Sequence, residues 1–251
     1  MTGIISEIYP DYNSAAATCG PGYLDHDISK VVAFKTAEYS TREPNVLLNE
    51  QSTNTLLAVG VAAGDLSTRP LHVLDFGGGC GFHYFTAKNP FKAAMRWAVV
   101  ETPTMAAQAK TLSNGQFEVY DTIDQAVSSL GRVDLVHTSG AIQCVPDPLA
   151  TLDALIAIRA SYLALARFPV WRGSLSIGVQ TSLLSENGIG PMPPDLPDRR
   201  VRYPILFLDI DATLARFKQY YDLIISIPSP SASYVVRGQN VPGVTVIFRA
   251  K

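Results

Sequence analysis

The chain is short of several things, and each shortage narrows its class. It has no apolar run approaching the ~18 residues that span a bilayer as a helix, so no membrane partner is expected. Its first ten residues include Glu7 and hold no apolar stretch of signal-peptide length, so no secretory leader is expected. Only three cysteines occur in 251 residues, Cys19, Cys80 and Cys144. Their wide separation fits neither a metal-ligand motif nor a disulfide framework, and it points to a reducing cytoplasm. An excess of one charge is also missing: 20 Lys and Arg stand against 22 Asp and Glu, a net charge of −2. No broad basic face for nucleic acid follows from that balance. Charged residues make up only 17% of the chain and hydrophobic ones 47%, which argues against disorder and supplies a sizeable core. Internal repeats and low-complexity tracts are absent too.

What is there centres on the stretch LHVLDFGGGCG, residues 71–81. It reads as a buried strand, Leu71–Phe76, running into a glycine turn and then a helix from about Phe82. Asp75 closes the strand, and Gly77, Gly79 and Gly81 give the pattern D-x-G-x-G-x-G. Such a turn allows positive φ angles and clears Cβ atoms from a ligand's path. The following helix aims its first amides into the cleared space. That arrangement suits a nucleotide-like ligand at the carboxyl edge of an open α/β sheet.

Either side of this centre the chain falls into order. Residues 1–27 are turn-rich and include Tyr12 and Tyr23; 28–39 and 45–63 read as helices, and 67–70 lead into the glycine strand. After it come a strand at 96–101, a helix opened by Thr102-Pro103, a strand at 116–120 and a helix opened by the Thr122–Gln125 capping box. A strand at 133–138, a helix opened by Asp147-Pro148 and a strand at 161–168 follow. Strand and helix alternating at this spacing mean parallel βαβ units with right-handed crossovers. Residues 171–208 break the rhythm with a Gly- and Pro-rich loop and the cluster Arg199, Arg200 and Arg202. A helix at 209–219 and strands at 220–227 and 244–249 close the chain. The last two strands have no room for a crossover helix, so they are expected antiparallel. The predicted fold is therefore an α/β, Rossmann-like, doubly wound and mostly parallel sheet with an antiparallel last strand. Residues 1–66 are read as a helical cap or lid. Residues 67–251 are read as the sheet domain, with a substrate-facing insertion at about 171–208.

The turn fits two familiar nucleotide fingerprints poorly. In G-x-G-x-x-G the third glycine would fall on Phe82 or Tyr84, and neither is small. No Lys-Ser or Lys-Thr follows the glycines as a phosphate loop requires. A carboxylate at Asp75 would repel a diphosphate and favour a cation, or an amine with a hydroxyl. Glu101 ends the second strand, 20 residues past Gly81, where an acid takes ribose hydroxyls; alternatively it is a surface acid near a helix start. Asp121 follows the third strand and is either an adenine contact or a solvated residue. His137, Thr138 and Ser139 end the fourth strand, where cofactor and substrate halves meet. His83 and Tyr84 open the helix after the glycines, and His83 can serve as a base near neutral pH. His83, Tyr84 and His137 are equally readable as packing residues.

At this point a resemblance enters. Asp75 to Gly81 together with Glu101 looks like the first two motifs of class I S-adenosylmethionine-dependent methyltransferases, over about residues 71–251. More narrowly, LDFGGGCGFHYF, VVETPTM, SGAIQCVPDP and RYPILF resemble a small methyltransferase group met beside polysaccharide or secondary-metabolite genes. The resemblance implies that Asp75, Phe76, Gly77, Gly78, Gly79 and Gly81 cradle the methionine part of S-adenosylmethionine. It implies that Glu101 and Thr102 bind ribose, Asp121 lies near adenine, and Thr138 and Ser139 flank the cofactor. It also implies S-adenosylhomocysteine as product. Amino-methylating enzymes that act on DNA bases or on glutamine carry N/D-P-P-[Y/F] after the fourth strand, whereas Thr138-Ser139-Gly140-Ala141 stand here. Catechol-type enzymes need clustered acids in this region; only Asp147 is close, so no metal is expected.

The reading that results is methyl transfer to a small-molecule acceptor, with His83 as candidate base and Tyr84 or His137 behind it. Tyr12, Tyr23 and the Arg199–Tyr203 region are expected to form the lid and acceptor wall. Two other readings stay open: a nicotinamide oxidoreductase on a similar sheet, and a non-catalytic module that binds the cofactor. The acceptor, the methylated atom and the oligomeric state are not legible in the sequence.

Overall fold

A computed structural model of the chain describes residues 3–41, 49–65, 69–91 and 94–251. The N-terminal part holds β1 (Gly3–Ile5), β2 (Ile8–Tyr9), α1 (Tyr12–Ala16), α2 (His26–Ser40) and α3 (Glu50–Gly64). Next come β3 (Leu71–Phe76), α4 (Phe82–Lys88), β4 (Met95–Val100), α5 (Pro103–Ser113), β5 (Glu118–Tyr120) and α6 (Ile123–Leu130). Then follow β6 (Leu135–Ser139), α7 (Pro148–Ala157), β7 (Tyr162–Pro169), β8 (Ser176–Leu183) and β9 (Arg200–Phe207). The chain ends with α8 (Ile210–Phe217), β10 (Tyr221–Pro228), β11 (Tyr234–Val236), β12 (Gln239–Val241) and β13 (Gly243–Ala250). Residues 45–48 of the predicted second helix and 67–68 of the lead into β3 lie outside the described residues.

Seven strands form the central sheet in the order β10-β13-β7-β6-β3-β4-β5. The strands from β7 to β5 pair in parallel, and β13 runs antiparallel to both its neighbours. The expected Rossmann-like sheet and its antiparallel last strand are thus present. The order reverses between β3 and β6, and a crevice opens outside the carboxyl ends of strands at such a reversal.

Side-chain alternation along the strands feeds two cores. Val73, Trp97 and Leu135 join Ile28, Val31, Ala58, Val59, Phe85 and Met105 from α2 to α5 on one face. Leu74, Val136 and Phe248 join Leu130, Leu152, Leu155 and Phe217 from α6 to α8 on the other. The helix starts obey local chemistry. Thr122, Asp147 and Asp209 cap α6, α7 and α8 by accepting the N–H of Gln125, Ala150 and Ala212. Thr102 precedes the proline of α5 but makes no side-chain cap.

Within the expected insertion at 171–208, the Gly- and Pro-rich loop joins two strands that the sequence reading does not anticipate. Here β8 and β9 form an antiparallel hairpin paired from Ser176↔Phe207 to Leu183↔Arg200, and β2 adds on the outer side of β8. A third sheet, β1-β11-β12, uses the connection between β10 and β13. Both small sheets continue from β7 and β10, so they stand at the carboxyl edge. The N-terminal segment is bonded to the hairpin. Buried Lys35 on α2 donates to the carbonyls of Ser185 at 2.6 Å and Gly188 at 3.3 Å. Arg199 donates to the carboxylates of Asp25 and Asp27, and Arg202 to the carbonyl of Thr18. These two arginines are therefore engaged in pinning the N-terminal segment, not free to meet an acceptor.

Gly81 precedes α4 with φ +88°, and a Cβ there would lie 2.4 Å from the Phe117 ring. Gly115 has φ +77° with nothing within 4 Å of a Cβ. Gly81→Ala is expected to lower stability by about 2–4 kcal/mol, from backbone strain plus overpacking. Gly115→Ala should cost only the backbone share, about 1–2 kcal/mol. Urea unfolding of both variants checks the difference; equal losses would contradict it.

Candidate active site

The carboxyl edge at β3 is organised by one buried acid. Asp75 has 0% exposure. Its carboxylate accepts hydrogen bonds from His137 Nδ1 at 2.9 Å, His83 Nδ1 at 3.0 Å and Trp97 Nε1 at 3.2 Å. Burial alone would oppose ionisation, but the facing imidazoles and their N–H bonds outweigh it and hold the carboxyl well below the usual range. Gln51 of α3 fixes the tautomer of His83. Arg167 Nη1 donates to Gln51 Oε1 at 3.4 Å, which turns the Gln51 amide N–H toward His83 Nε2 at 2.9 Å. His83 Nε2 is then the acceptor, and Nδ1 carries the proton that Asp75 receives. Thr55 Oγ1 stands 3.4 Å from His137 Nε2. Among the described residues Asp75, His83 and His137 form a group that could hold a metal, their donor atoms within 4.8 Å. Hydrogen bonds among these atoms, and to Gln51, Thr55 and Trp97, already satisfy the donor set.

The glycine turn lies directly above this acid. A Cβ on Gly78 would sit 2.3 Å from Asp75 Oδ2. One on Gly77, at φ +69°, would sit 2.2 Å from the Ala141 Cβ. Those glycines, with Gly81, are required by the protein's own packing. Gly79 is the exception: at φ +60° its Cβ would meet only Val32 of α2, at 3.4 Å. Across from it Glu101 follows β4. Its carboxylate accepts the N–H groups of Gly79 and Thr102, both at 2.9 Å. Burial pushes the Glu101 carboxyl up, against the pull of these two bonds.

Three hydroxyls stand near the carboxyl ends of β4 and β6, with Thr138 in register with Phe76 and so on the other face of the sheet from Asp75 and His137. Thr102 Oγ1, Thr138 Oγ1 and Ser139 Oγ are buried and have no partner among the described residues. Buried polar groups are nearly always bonded, so the orphan hydroxyl of Thr102, next to Glu101, is open to a polar ligand.

The expected site residues are thus only partly brought together. Asp75, His83 and His137 form one network, and Glu101 ties Gly79 to Thr102; Thr138, in register with Phe76, is not brought to them, and Ser139 ends β6. Phe76 packs toward the opposite core. Tyr84 stands apart, packed against Phe85, Trp97 and Phe117. Asp121 is exposed, 3.7 Å from Lys110, on the rim of a groove of about 720 Å³ beside β5 and α6. Two expectations are corrected. Asp75 does not present its carboxylate to the open side of the turn, because three N–H groups take it. The His83 Nε2 lone pair is not free for an acceptor, because Gln51 holds it. Sequence reading missed Gln51, Thr55, Trp97 and Arg167, whose only signal was polar or aromatic character inside otherwise apolar elements.

Comparison with known structures agrees with the fold. The N-terminal domain of EvdMO1, determined with SAH bound, aligns with a TM-score of 0.50 at 15% identity, covering 82% of this chain and 83% of that one. A S-adenosylmethionine-dependent methyltransferase from Clostridium acetobutylicum ATCC 824 aligns at 0.48 and 10% identity, covering 80% and 92%. The 1,6-didemethyltoxoflavin-N1-methyltransferase of Burkholderia thailandensis, with 1,6-didemethyltoxoflavin and S-adenosylhomocysteine bound, aligns at 0.45 and 16%, covering 80% and 79%. No family model and no curated protein matches the sequence. At such identities the likeness is one of fold alone, a mostly parallel α/β sheet with an antiparallel last strand.

The network has a pH signature. Burial, with His83 beside it, lowers the His137 pKa in the folded chain. The unfolded chain therefore takes up a proton near pH 6.5 that the folded chain refuses. His137's contribution to stability is complete above about pH 6.5 and falls as pH drops below it. Asp75, whose folded pKa is depressed, contributes above about pH 4 and loses that contribution only below. Unfolding midpoints should fall between pH 7 and pH 5. Trp97→Phe, which removes one donor from a buried charge, should cost about 1.5–3 kcal/mol. A flat profile, or an unaffected Trp97→Phe variant, would contradict the network.

Proposed function

We propose that this chain is a S-adenosylmethionine-dependent methyltransferase acting on a small-molecule acceptor. The observation that carries the proposal is the pairing of Glu101 with the glycine turn at the sheet's reversal point, beside the unpartnered hydroxyl of Thr102. These residues fit a nucleoside sulfonium. The carboxylates nearest the turn, Asp75 and Glu101, lie under Gly78 and opposite Gly79, and together they disfavour a diphosphate.

The protein's own residues divide the work. The Gly77–Gly81 turn would receive the methionine part, and Glu101 the ribose hydroxyls, beside Thr102. Asp121, with Lys110, lies toward the adenine end. Of the two β6 residues read as cofactor contacts, Ser139 at the strand's end keeps that assignment, while Thr138 turns to the Phe76 face. When bound, S-adenosylmethionine supplies an electrophilic methyl group, so the protein has chiefly to orient a nucleophile in a dry site. We assign His83 and His137 to holding Asp75 and the turn, and Tyr84 to packing. His83 can act as a base only where Gln51 releases its Nε2. The N-terminal segment and the β8–β9 hairpin serve as lid and acceptor wall, a role supported by the Lys35 and Arg199 bonds that join them. The chain is further proposed to belong to the narrower group carrying the FGGGxGxHYF string, which fits a polysaccharide or secondary-metabolite intermediate as acceptor.

The setting follows from the same features. No helix of the described residues is long and apolar enough to cross a membrane. Three free thiols support a reducing cytoplasm, and a net charge of −2 supports a small acceptor over nucleic acid.

Calorimetry tests the reading. The protein should bind S-adenosylmethionine, and Glu101→Ala should weaken that binding about 10–100-fold through loss of charged hydrogen bonds. No heat at ~1 mM cofactor (against a ~4 kcal/mol binding threshold) would overturn the proposal. So would preferential binding of NADH.

A further inference from the structure

One charged side chain at the carboxyl edge is only partly used by its bond to Gln51. Arg167 lies near the end of β7, in a bulge where Ala166 and Arg167 together oppose Thr245 of β13. Its φ is +57°, the left-handed region that a non-glycine residue rarely adopts. Bulges gather beside active sites because they re-aim a side chain. Here the bulge is held by the Arg167 N–H bonded to Thr245 Oγ1 at 3.2 Å, and Thr245 is fixed in turn by Asn54 at 2.9 Å.

The bulge sends the guanidinium over Gly140, just past β6. A Cβ on Gly140 would lie 3.4 Å from it. Nη1 donates to Gln51, but buried Nε has no partner, and no carboxylate pairs with the group among the described residues. The unused edge, Nε with Nη2, is the one that meets a carboxylate side-on. Next to it Gln143 is 3% exposed; its amide N–H donates to the Arg167 carbonyl at 3.2 Å, while its Oε1 is buried without a partner. Gln143, bonded to the backbone of Arg167, therefore carries an unmatched acceptor of its own.

Neutral donors surround this pair. Tyr23 and Tyr203 have ring centroids 4.2 Å apart, and Cys144 Sγ is 3.9 Å from the Tyr23 hydroxyl. Burial pushes the phenols of Tyr23, Tyr203 and Tyr234 up, and the Cys144 thiol to about 12. The charge of Arg167 acts on Tyr203, Tyr234 and Cys144 in the opposite sense, which places it within electrostatic reach of all three.

We infer that Arg167 anchors the acceptor subsite, which takes a small molecule bearing a carboxylate on the Nε–Nη2 edge and an O–H or N–H donor facing Gln143 Oε1. The tyrosine rings suit a planar or aromatic body beside that carboxylate. This deepens the methyltransferase reading and rests on it for the word acceptor; the anion site itself does not depend on the cofactor.

Benzoate and its neutral isostere benzamide are the probes, titrated at constant ionic strength with thermal unfolding as readout. S-adenosylhomocysteine calorimetry runs in parallel. Benzoate should raise the unfolding temperature saturably, and benzamide should not. Arg167→Gln and Arg167→Lys should each weaken the benzoate effect at least tenfold while S-adenosylhomocysteine binds as in the parent. Arg167→Lys keeps the positive charge and guards against a variant that fails to fold. An equal response to benzoate in parent and variants, or none in the parent, would overturn the inference. Loss of S-adenosylhomocysteine binding in both variants would also overturn it, because Arg167 would then be structural. If S-adenosylhomocysteine fails to bind even the parent, the methyltransferase reading falls and the benzoate arm still decides the anion site.

Discussion

A carboxylate removed from water must be given partners, and Asp75 sets that demand at the centre of this molecule. Its three N–H donors come from α4, β4 and β6, so one acid ties the helix after the glycine turn to the strands on both sides of β3. Gln51 and Thr55 extend the tie to α3. Removing one partner of such a group leaves a buried charge uncompensated, which is the costly way to break an ionic cluster. The turn therefore inherits its shape from below. Gly78 is a glycine because the acid lies under it, and Gly77 because Ala141 does not leave room for a side chain.

The frame was legible for local reasons. A strand ending in Asp-x-Gly-x-Gly-x-Gly, capped helix starts at Thr122, Asp147 and Asp209, and the short return to the last strand are each written within a few residues. Tertiary partners were not. Gln51 and Arg167 are 116 positions apart, and nothing local says that one will orient the other. The β8–β9 hairpin was hidden because the Gly- and Pro-rich loop inside it outweighs the alternation of Ile177 and Val179 on its flank. Three glycines of the turn suggested a ligand through their missing Cβ atoms, yet Phe117, Ala141 and Asp75 fill that space at Gly81, Gly77 and Gly78. Only Gly79 keeps the expected openness. Arginines 199 and 202 were the visible cations, while the unmatched one, Arg167, sat inside a strand.

Charge is divided along the carboxyl edge. Asp75 and Glu101 make the side near β3 and β4 negative. Arg167 makes the side beyond β6 positive. Gln51 lies between, its amide N–H toward His83 and its carbonyl toward Arg167, so its orientation reports on both halves at once. A cationic donor on the first side and an anionic acceptor on the second would each find its complement.

The most direct measurement is nitrogen-15 NMR of the histidine side chains between pH 6 and pH 8. An ionised Asp75 that receives both Nδ1–H groups predicts a proton on Nδ1 of His83 and of His137, and a neutral His137 ring whose shifts stay fixed across this range. Nε2–H tautomers at either ring, or imidazolium shifts of His137 appearing toward pH 6, would contradict the buried-carboxylate network on which the rest is built.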